Sequence, residues 1–463
     1  MKLFKLITGA SLLALLITGC SLNSESPEEL IKYKPIYNEN KEILYKGINQ
    51  LLPLNSSLIL PSNSSEVGKI NEVDLNGDGV DELVAFEKKE NLNDNQNKVG
   101  FIVLSKNEDE TYTNKGNLLQ VGDYIEYANF YDLNNDGYKE IILLIKNRNK
   151  TNMHIYNFKE DEIKSIYTLN PTWIKNKQNL LDVKIKVGYI DDNDKLDILI
   201  MHYDPKNSKA YASLANFNKS LELIDFTEFS NVKNLSDLYI TIGTIATEKV
   251  GNTKIEKKGV ILDIPIIQDN NYITQILYIK DQKIKKAFSD DDKSTMKPYY
   301  IPIEDINKDK VIEIPIVNGS GNIYTQKNSA NISWYKWNGK EDDEKSSLVF
   351  IIQIYYNYQY NYKMLIPNKL VNKVDIVQEY KGNDVLFKFY YYDTVDVKLK
   401  NLFTISLVNK NLIDDKKNAS SSNGIILNET NEYSFILYQN DLEELKKLNI
   451  NIEALREYFS LIY

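Results

Sequence analysis

The chain has one cysteine and two histidines in 463 residues. A single cysteine, Cys20, excludes an internal disulfide or a cysteine-held iron–sulfur site. The histidines, His154 and His202, each stand alone in or beside a strand-like segment and read as structural groups. Basic excess is missing as well: 65 Asp and Glu against 56 Lys and Arg leave a net charge of −9. Nucleic acid selects basic faces, so this balance argues against nucleic acid and against simple electrostatic docking on anionic lipid. No phosphate-cradling loop and no dinucleotide fingerprint occurs. Gly319-Ser320-Gly321 lacks the frame of a nucleophile elbow and reads as a turn. Paired carboxylates occur only inside the turns described next.

Those turns are what the chain has in abundance. Asp74-Leu75-Asn76-Gly77-Asp78-Gly79-Val80-Asp81-Glu82 is the first copy, and Asp132-Leu133-Asn134-Asn135-Asp136-Gly137-Tyr138-Lys139-Glu140 the second. Asp305-Ile306-Asn307-Lys308-Asp309-Lys310-Val311-Ile312-Glu313 is a third clear one. Oxygen side chains fall at positions 1, 3 and 5, and Glu closes the turn at position 9. A hard cation such as Ca²⁺ takes roughly 6–8 oxygen ligands, which alternating residues of a tight turn can aim inward. Gly79 and Gly137 at position 6 supply a bend with φ > 0 that a Cβ would resist. An apolar β-type run follows each turn, so a cation there would pin a turn to a strand. The alternative is an acidic turn capped by its own Asx side chains, with no metal.

The copies keep phase. Asp74 to Asp132 is 58 residues, and Asp132 to Asp305 is 173, close to three times 58. Near 190 a weaker copy has Tyr189 at position 1, Asp194 at the bend and Asp197 at position 9. Near 248 the turn is lost, and a charged insertion joins Tyr239-Ile240-Thr241-Ile242 to Val260-Ile261-Leu262. Five units of this length suit radial sheet architectures in which each unit is a four-stranded blade.

These copies resemble FG-GAP/VCBS-type repeats, the calcium-turn units of integrin-α-like β-propellers, over residues 55–340. The resemblance implies a mainly β fold, a propeller of about five and up to seven blades, with calcium in a structural role. It implies that calcium is held by Asp74, Asn76, Asp78 and Glu82, by Asp132, Asn134, Asp136 and Glu140, and by Asp305, Asn307, Asp309 and Glu313. The third unit departs from the pattern by losing its first ligand. The fifth departs at Lys310, which replaces the bend glycine and would bring a cation close to the site.

The chain opens with two lysines and an apolar run from Leu6 to Ile17, a secretory signal too short to span a bilayer. Ile17-Thr18-Gly19-Cys20 resembles a bacterial lipobox. That resemblance implies a signal peptide over 1–19, cleavage before Cys20, and a lipid on the Cys20 sulfur holding the protein on the outer face of the cytoplasmic membrane. Two or more acyl chains give stable anchoring. Residues 20–37 read as a solvated tether. The spacing of Ile43, Leu44, Ile48, Leu51 and Leu52 predicts a helix stopped by Pro53, within a propeller region set at 38–340.

Trp334 and Trp337 fall on opposite faces of a predicted strand, one expected in the core and one exposed. Asn338-Gly339 after them signals a hairpin. The charged stretch from Lys340 to Lys345 is the expected boundary of a small α+β domain over 341–463. There, strands are predicted around 350–365, 385–392, 402–408 and 433–438. Asn440 and Asn451 are predicted helix N-caps, the first with Glu443 in a capping box. The functional expectation is a membrane-anchored surface lipoprotein whose propeller binds an envelope polymer or a protein partner. An envelope hydrolase with an Asp/Glu site on the propeller face, and a purely structural envelope component, are the alternatives.

Overall fold

A computed structural model describes residues 47–90, 96–107, 111–148, 150–168, 182–191, 193–218, 220–318, 329–341, 346–392, 399–410 and 424–462. Two compact units divide the chain at Leu58/Ile59. In the first, residues 47–51 are helical, ending ahead of Pro53, and the strand β1 (Ser56–Leu58) follows. Cys20, the signal segment and the tether lie outside the described residues, as does Gly319-Ser320-Gly321.

The second unit is a series of antiparallel sheets taken up in chain order. The first holds β2 (Ile70–Val73), β3 (Glu82–Lys89), β4 (Lys98–Lys106) and β5 (Tyr112–Val121). The second holds β6 (Tyr124–Tyr131), β7 (Glu140–Asn147), β8 (Lys150–Lys159) and β9 (Glu162–Thr168). The third holds β10 (Asp182–Gly188), β11 (Asp197–Asp204), β12 (Lys209–Phe217) and β13 (Leu221–Phe229). The fourth holds β14 (Tyr239–Val250), β15 (Thr253–Pro265), β16 (Tyr272–Lys280) and β17 (Lys283–Lys286), with β18 (Met296–Lys297) also on β16. The fifth begins β19 (Ile314–Asn318), β20 (Ser329–Trp337), β21 (Leu348–Asn357), β22 (Tyr362–Leu365).

The sixth sheet breaks the simple order. Its strands β23 (Val374–Lys381), β24 (Asp384–Tyr392), β25 (Leu399–Asn409), β26 (Gly424–Glu429) and β27 (Tyr433–Gln439) run β23-β24-β25-β27-β26. Two short helices, α1 (Leu442–Lys447) and α2 (Ile452–Glu457), follow. The strand β28 (Phe459–Leu461) then returns to pair with β22 on the fifth sheet. Asn451 caps α2 by accepting from the Glu453 N–H. The cap of α1 is Asp441, one residue beyond the expected Asn440, because its carboxylate reaches the Glu444 N–H at 2.9 Å.

The second strands explain the layering. Leu83–Phe86, Ile141–Ile145 and Ile198–Met201 are continuous apolar runs with every residue buried. Such runs demand cover on both faces. Consecutive sheets supply it, so separate cores form between neighbours instead of one common core. Phe86, Phe101, Ile145 and Tyr156 fill the space between the first and second sheets. Leu144, Ile155, Ile200 and Phe217 do so between the second and third, and Met201, Leu214, Leu262 and Leu277 between the third and fourth. Each fully buried aliphatic or aromatic side chain contributes about 1.5–3 kcal/mol of transfer free energy. A series of four- and five-stranded antiparallel sheets, each packed on the next, is compatible with a β-propeller.

Three expectations change. Trp334 and Trp337 do fall into different clusters, but both are only 2% exposed, because neighbouring layers cover both faces of the fifth sheet. Trp337 stacks on Tyr278 and donates from Nε1 to Ser346 Oγ at 2.8 Å, so the pair forms no aromatic platform. The charged insertion of the fourth unit is an extension of two paired strands: β14 and β15 stay paired, through a register shift between Thr244 and Ala246, out to Val250↔Thr253, closed by a turn at Gly251 with φ +61°. Finally, β20 pairs with β21 from Ser329↔Asn357 to Trp337↔Leu348, so one sheet spans the division expected at 340/341.

Candidate cation-binding turns

Three of the turns share four hydrogen bonds at matching positions. The position-9 carboxylate accepts from the N–H of position 2: Leu75 to Glu82, Leu133 to Glu140 and Ile306 to Glu313, each at 3.0 Å. The position-1 Asp accepts from the N–H of position 6, Gly79 to Asp74 at 3.0 Å, Gly137 to Asp132 at 3.0 Å and Lys310 to Asp305 at 2.8 Å. Oδ1 of position 3 accepts from the N–H of position 5, and Oδ1 of position 5 from that of position 7. Positions 4 and 6 are left-handed in all three: Gly77 and Gly79, Asn135 and Gly137, Lys308 and Lys310.

The weaker copy keeps part of this. Asp197 accepts from the Ile190 N–H at 3.2 Å, but the described residues of that turn include none with positive φ, so Asp194 does not bend as Gly79 does. Lys310 also behaves differently from the expectation. Its backbone takes the left-handed bend, while its side chain is 80% exposed and its Nζ lies 3.9 Å from Glu256. The lysine that reaches the fifth turn is Lys336, 3.1 Å from Asp309; Lys159 holds the matching place on Asp136 at 2.5 Å.

The turns lie side by side. A Cβ on Gly77 would meet the Gly137 carbonyl oxygen at 2.6 Å, and the Lys139 N–H donates to Leu75 O at 3.0 Å. Asn135 Nδ2 donates to Asp194 O at 3.1 Å. The acidic turns of the first three units therefore occupy equivalent places on neighbouring sheets.

Charge is concentrated with little compensation. Burial pushes Glu140 and Glu313 up to about 7, opposed by the position-2 N–H and reinforced by the carboxylates at positions 1 and 5. Glu82 is raised for the same reasons, and burial with the Asp191 charge takes Asp197 to about 6. In the fifth turn, carboxylate oxygens of Asp305, Asp309 and Glu313 all lie within 4.8 Å of one another. Glu313 is fully buried, and its Oε1 has no hydrogen-bond partner. A buried carboxylate oxygen left without a donor is costly. This donor set fits a hard cation, which would supply the missing partner.

One element of the turns escaped the sequence reading: the apolar residue at position 2. Leu75, Leu133 and Ile190 are at most 1% exposed and anchor the N–H that holds the closing acid. Its signal was present as Leu or Ile at that place in every copy. A carboxylate pair outside the turns was missed as well, since Glu126 and Asp182 meet only through folding; Thr151 Oγ1 lies 3.1 Å from both. The histidines are buried within strands, with His154 Nδ1 3.2 Å from Thr168 Oγ1 and neither nitrogen of His202 partnered.

No protein-family model and no curated protein matches the chain. Among solved structures it is similar to the exotype rhamnogalacturonan lyase YesX, at 9% identity and a TM-score of 0.29, over 74% of this chain and 66% of that one. It is also similar to a protein from Lactobacillus plantarum, at 9% identity and a TM-score of 0.24, over 66% of this chain and 91% of that one. The chain thus spans just under two thirds of the lyase. Likenesses of this size carry no argument, and the fold rests on the sheet order given above.

Proposed function

We propose that the chain is a surface-anchored binding module built on a cation-braced propeller. The observation that carries this reading is the recurrence of one oxygen-lined turn, in phase, on successive sheets, with Glu313 Oε1 buried and unpartnered in the fifth copy. Asp74, Asn76, Asp78 and Glu82 and their counterparts would hold calcium, and the ion would favour the charged form of the closing Glu82, Glu140 and Glu313, which burial disfavours. The role of the metal is structural: it fixes the exit of one strand and the entry of the next, and so the spacing of neighbouring sheets. Five sheets would supply the blades, with the sixth sheet and its two helices as an added α+β part. The lipid on Cys20 would hold the module at the membrane, where it meets an envelope polymer or protein.

Chelation tests the reading. A ligand bound only by the native state stabilises it by RT ln(1 + [L]/Kd), about 2.7 kcal/mol per site at a hundredfold excess over Kd. Adding EGTA to calcium-loaded protein should lower Tm by roughly 5–10 °C, given several such sites in a large unit. An unchanged Tm at saturating chelator removes the metal from the account. Cys20→Ser should release the protein from membranes, and continued tight association would contradict the anchor.

A further inference from the structure

Away from the acidic turns, the segment before β2 and the opening strands of the next three sheets border one pocket of ≈ 530 Å³. Asn63 and Glu66 precede β2, Glu126 lies on β6, Asp182 and Lys184 on β10, and Tyr239 on β14. That size lies within the range of about 300–1,000 Å³ usual for small-ligand sites. Because β10 alternates, Val183, Ile185 and Val187 point into the sheet cores, while Asp182, Lys184 and Lys186 turn the other way.

Polar groups converge at one point. Thr151, 2% exposed, places its hydroxyl 3.1 Å from both Glu126 Oε2 and Asp182 Oδ1. The two carboxylates thus share one hydroxyl hydrogen. Lys146 pairs with Asp182. Burial raises Glu126, opposed by the Lys146 charge and the Thr151 hydroxyl.

The ammonium groups around the pocket are engaged. Lys184 Nζ donates to Leu238 O at 2.6 Å, and Lys186 lies 3.6 Å from Glu66. Three lining acids face two lining lysines, with Lys146 paired to Asp182 outside the lining, so a highly charged ligand finds little net field to draw it in. At the rim Tyr239 is 38% exposed and backed by Tyr300, stacked at a centroid distance of 3.4 Å with 9° between planes. A ring held flat in a pocket lined with carboxylate acceptors suits a ligand with apolar C–H faces and many hydroxyls.

We propose that this pocket binds a neutral saccharide, one to three pyranose units of an envelope polymer, with Asp182 accepting its hydroxyls and Tyr239 bordering a sugar face. The proposal deepens the binding-module reading and rests on it for the source of the sugar. Titration calorimetry of calcium-loaded protein would use a glucose tetramer, an N-acetylglucosamine tetramer and a uronic acid tetramer. One of the two neutral probes should bind. Asp182→Asn and Tyr239→Ala should each weaken it about tenfold or more, a step of about 1.4 kcal/mol. Glu126→Gln keeps the side-chain size and leaves the Asp182 acceptor untouched, and should stay within about threefold, less than half that step. Lys285→Ala, in a different surface pocket, serves as the control. Melting curves confirm that each variant folds, and Tyr239→Ala, at a partly exposed residue, carries the test if Asp182→Asn does not. No binding at millimolar probe, binding of the uronate alone, or affinity unchanged in both Asp182→Asn and Tyr239→Ala would overturn the proposal. Protein that melts lower on chelation yet binds no sugar loses the pocket and keeps the braced module. Sugar binding with chelator-insensitive melting has the converse meaning.

Discussion

The second and fourth sheets join their first two strands in opposite ways. Between β6 and β7 the chain folds through residues 132–139, with four oxygen-bearing side chains turned on themselves. Between β14 and β15 the strands simply run on and close at Gly251. One joint concentrates charge in an oxygen-lined turn. The other depends on added backbone pairs and side chains such as Lys258, 3.1 Å from Glu256. The difference teaches that two such strands can be joined with or without the oxygen-lined turn, so those turns are specific parts of this chain.

Mutation can break that comparison. The largest effect belongs to Asp74→Ala combined with Asp132→Ala. This double variant should remove more than half of the EGTA-induced shift in Tm and lower Tm in calcium by several degrees, as loss of native-state ligands requires. Gly77→Ala comes next. Its Cβ would strike the Gly137 carbonyl at 2.6 Å on top of a φ of +73°, so denaturant melts should show a loss of about 2–3 kcal/mol. Gly251→Ala faces the same backbone sign but open space, and should cost only about 1 kcal/mol with the chelation shift unchanged. If the two alanines cost the same, the contact between turns does not matter to stability.

A smaller, pH-dependent effect sharpens the same contrast away from the metal. Burial pushes His202 down to about 4. Its ordinary value is about 6.5, so below that pH the unfolded chain takes up a proton that the folded chain refuses. Stability is therefore complete above about pH 6.5 and falls as pH drops toward 4, by no more than about 3 kcal/mol from this residue. His202→Phe should flatten the fall of Tm over that window. An unchanged slope would mean His202 is protonated in the fold.

Much of this was legible in the residues because the turns are local. Positions 1, 3, 5 and 9 close a ring within nine residues, so the spacing showed which side chains gather, and the interval of 58 placed the copies near 132, 190 and 305 but also one near 248 that the chain lacks. The apolar runs 83–86, 141–145 and 198–201 likewise showed their double burial. What remained hidden depends on neighbours distant in the chain. One of Trp334 and Trp337 was expected to be exposed because the layer over the sheet's second face is not encoded nearby. The division at 340 looked natural because a charged loop in a hairpin and a linker between domains have the same composition. Glu126 and Asp182 share no motif; they converge because opening strands one repeat apart face the same space.

The return of β28 to β22 has a mechanical corollary. Met364 pairs with Phe459 and Tyr362 with Leu461, so residues 366–458 leave and re-enter the fifth sheet at adjoining strands. That segment is a loop tied at its neck. Tension applied at the far end of the chain would be borne first by three β28 residues in shear, and only after their release would the last sheet be free to peel away.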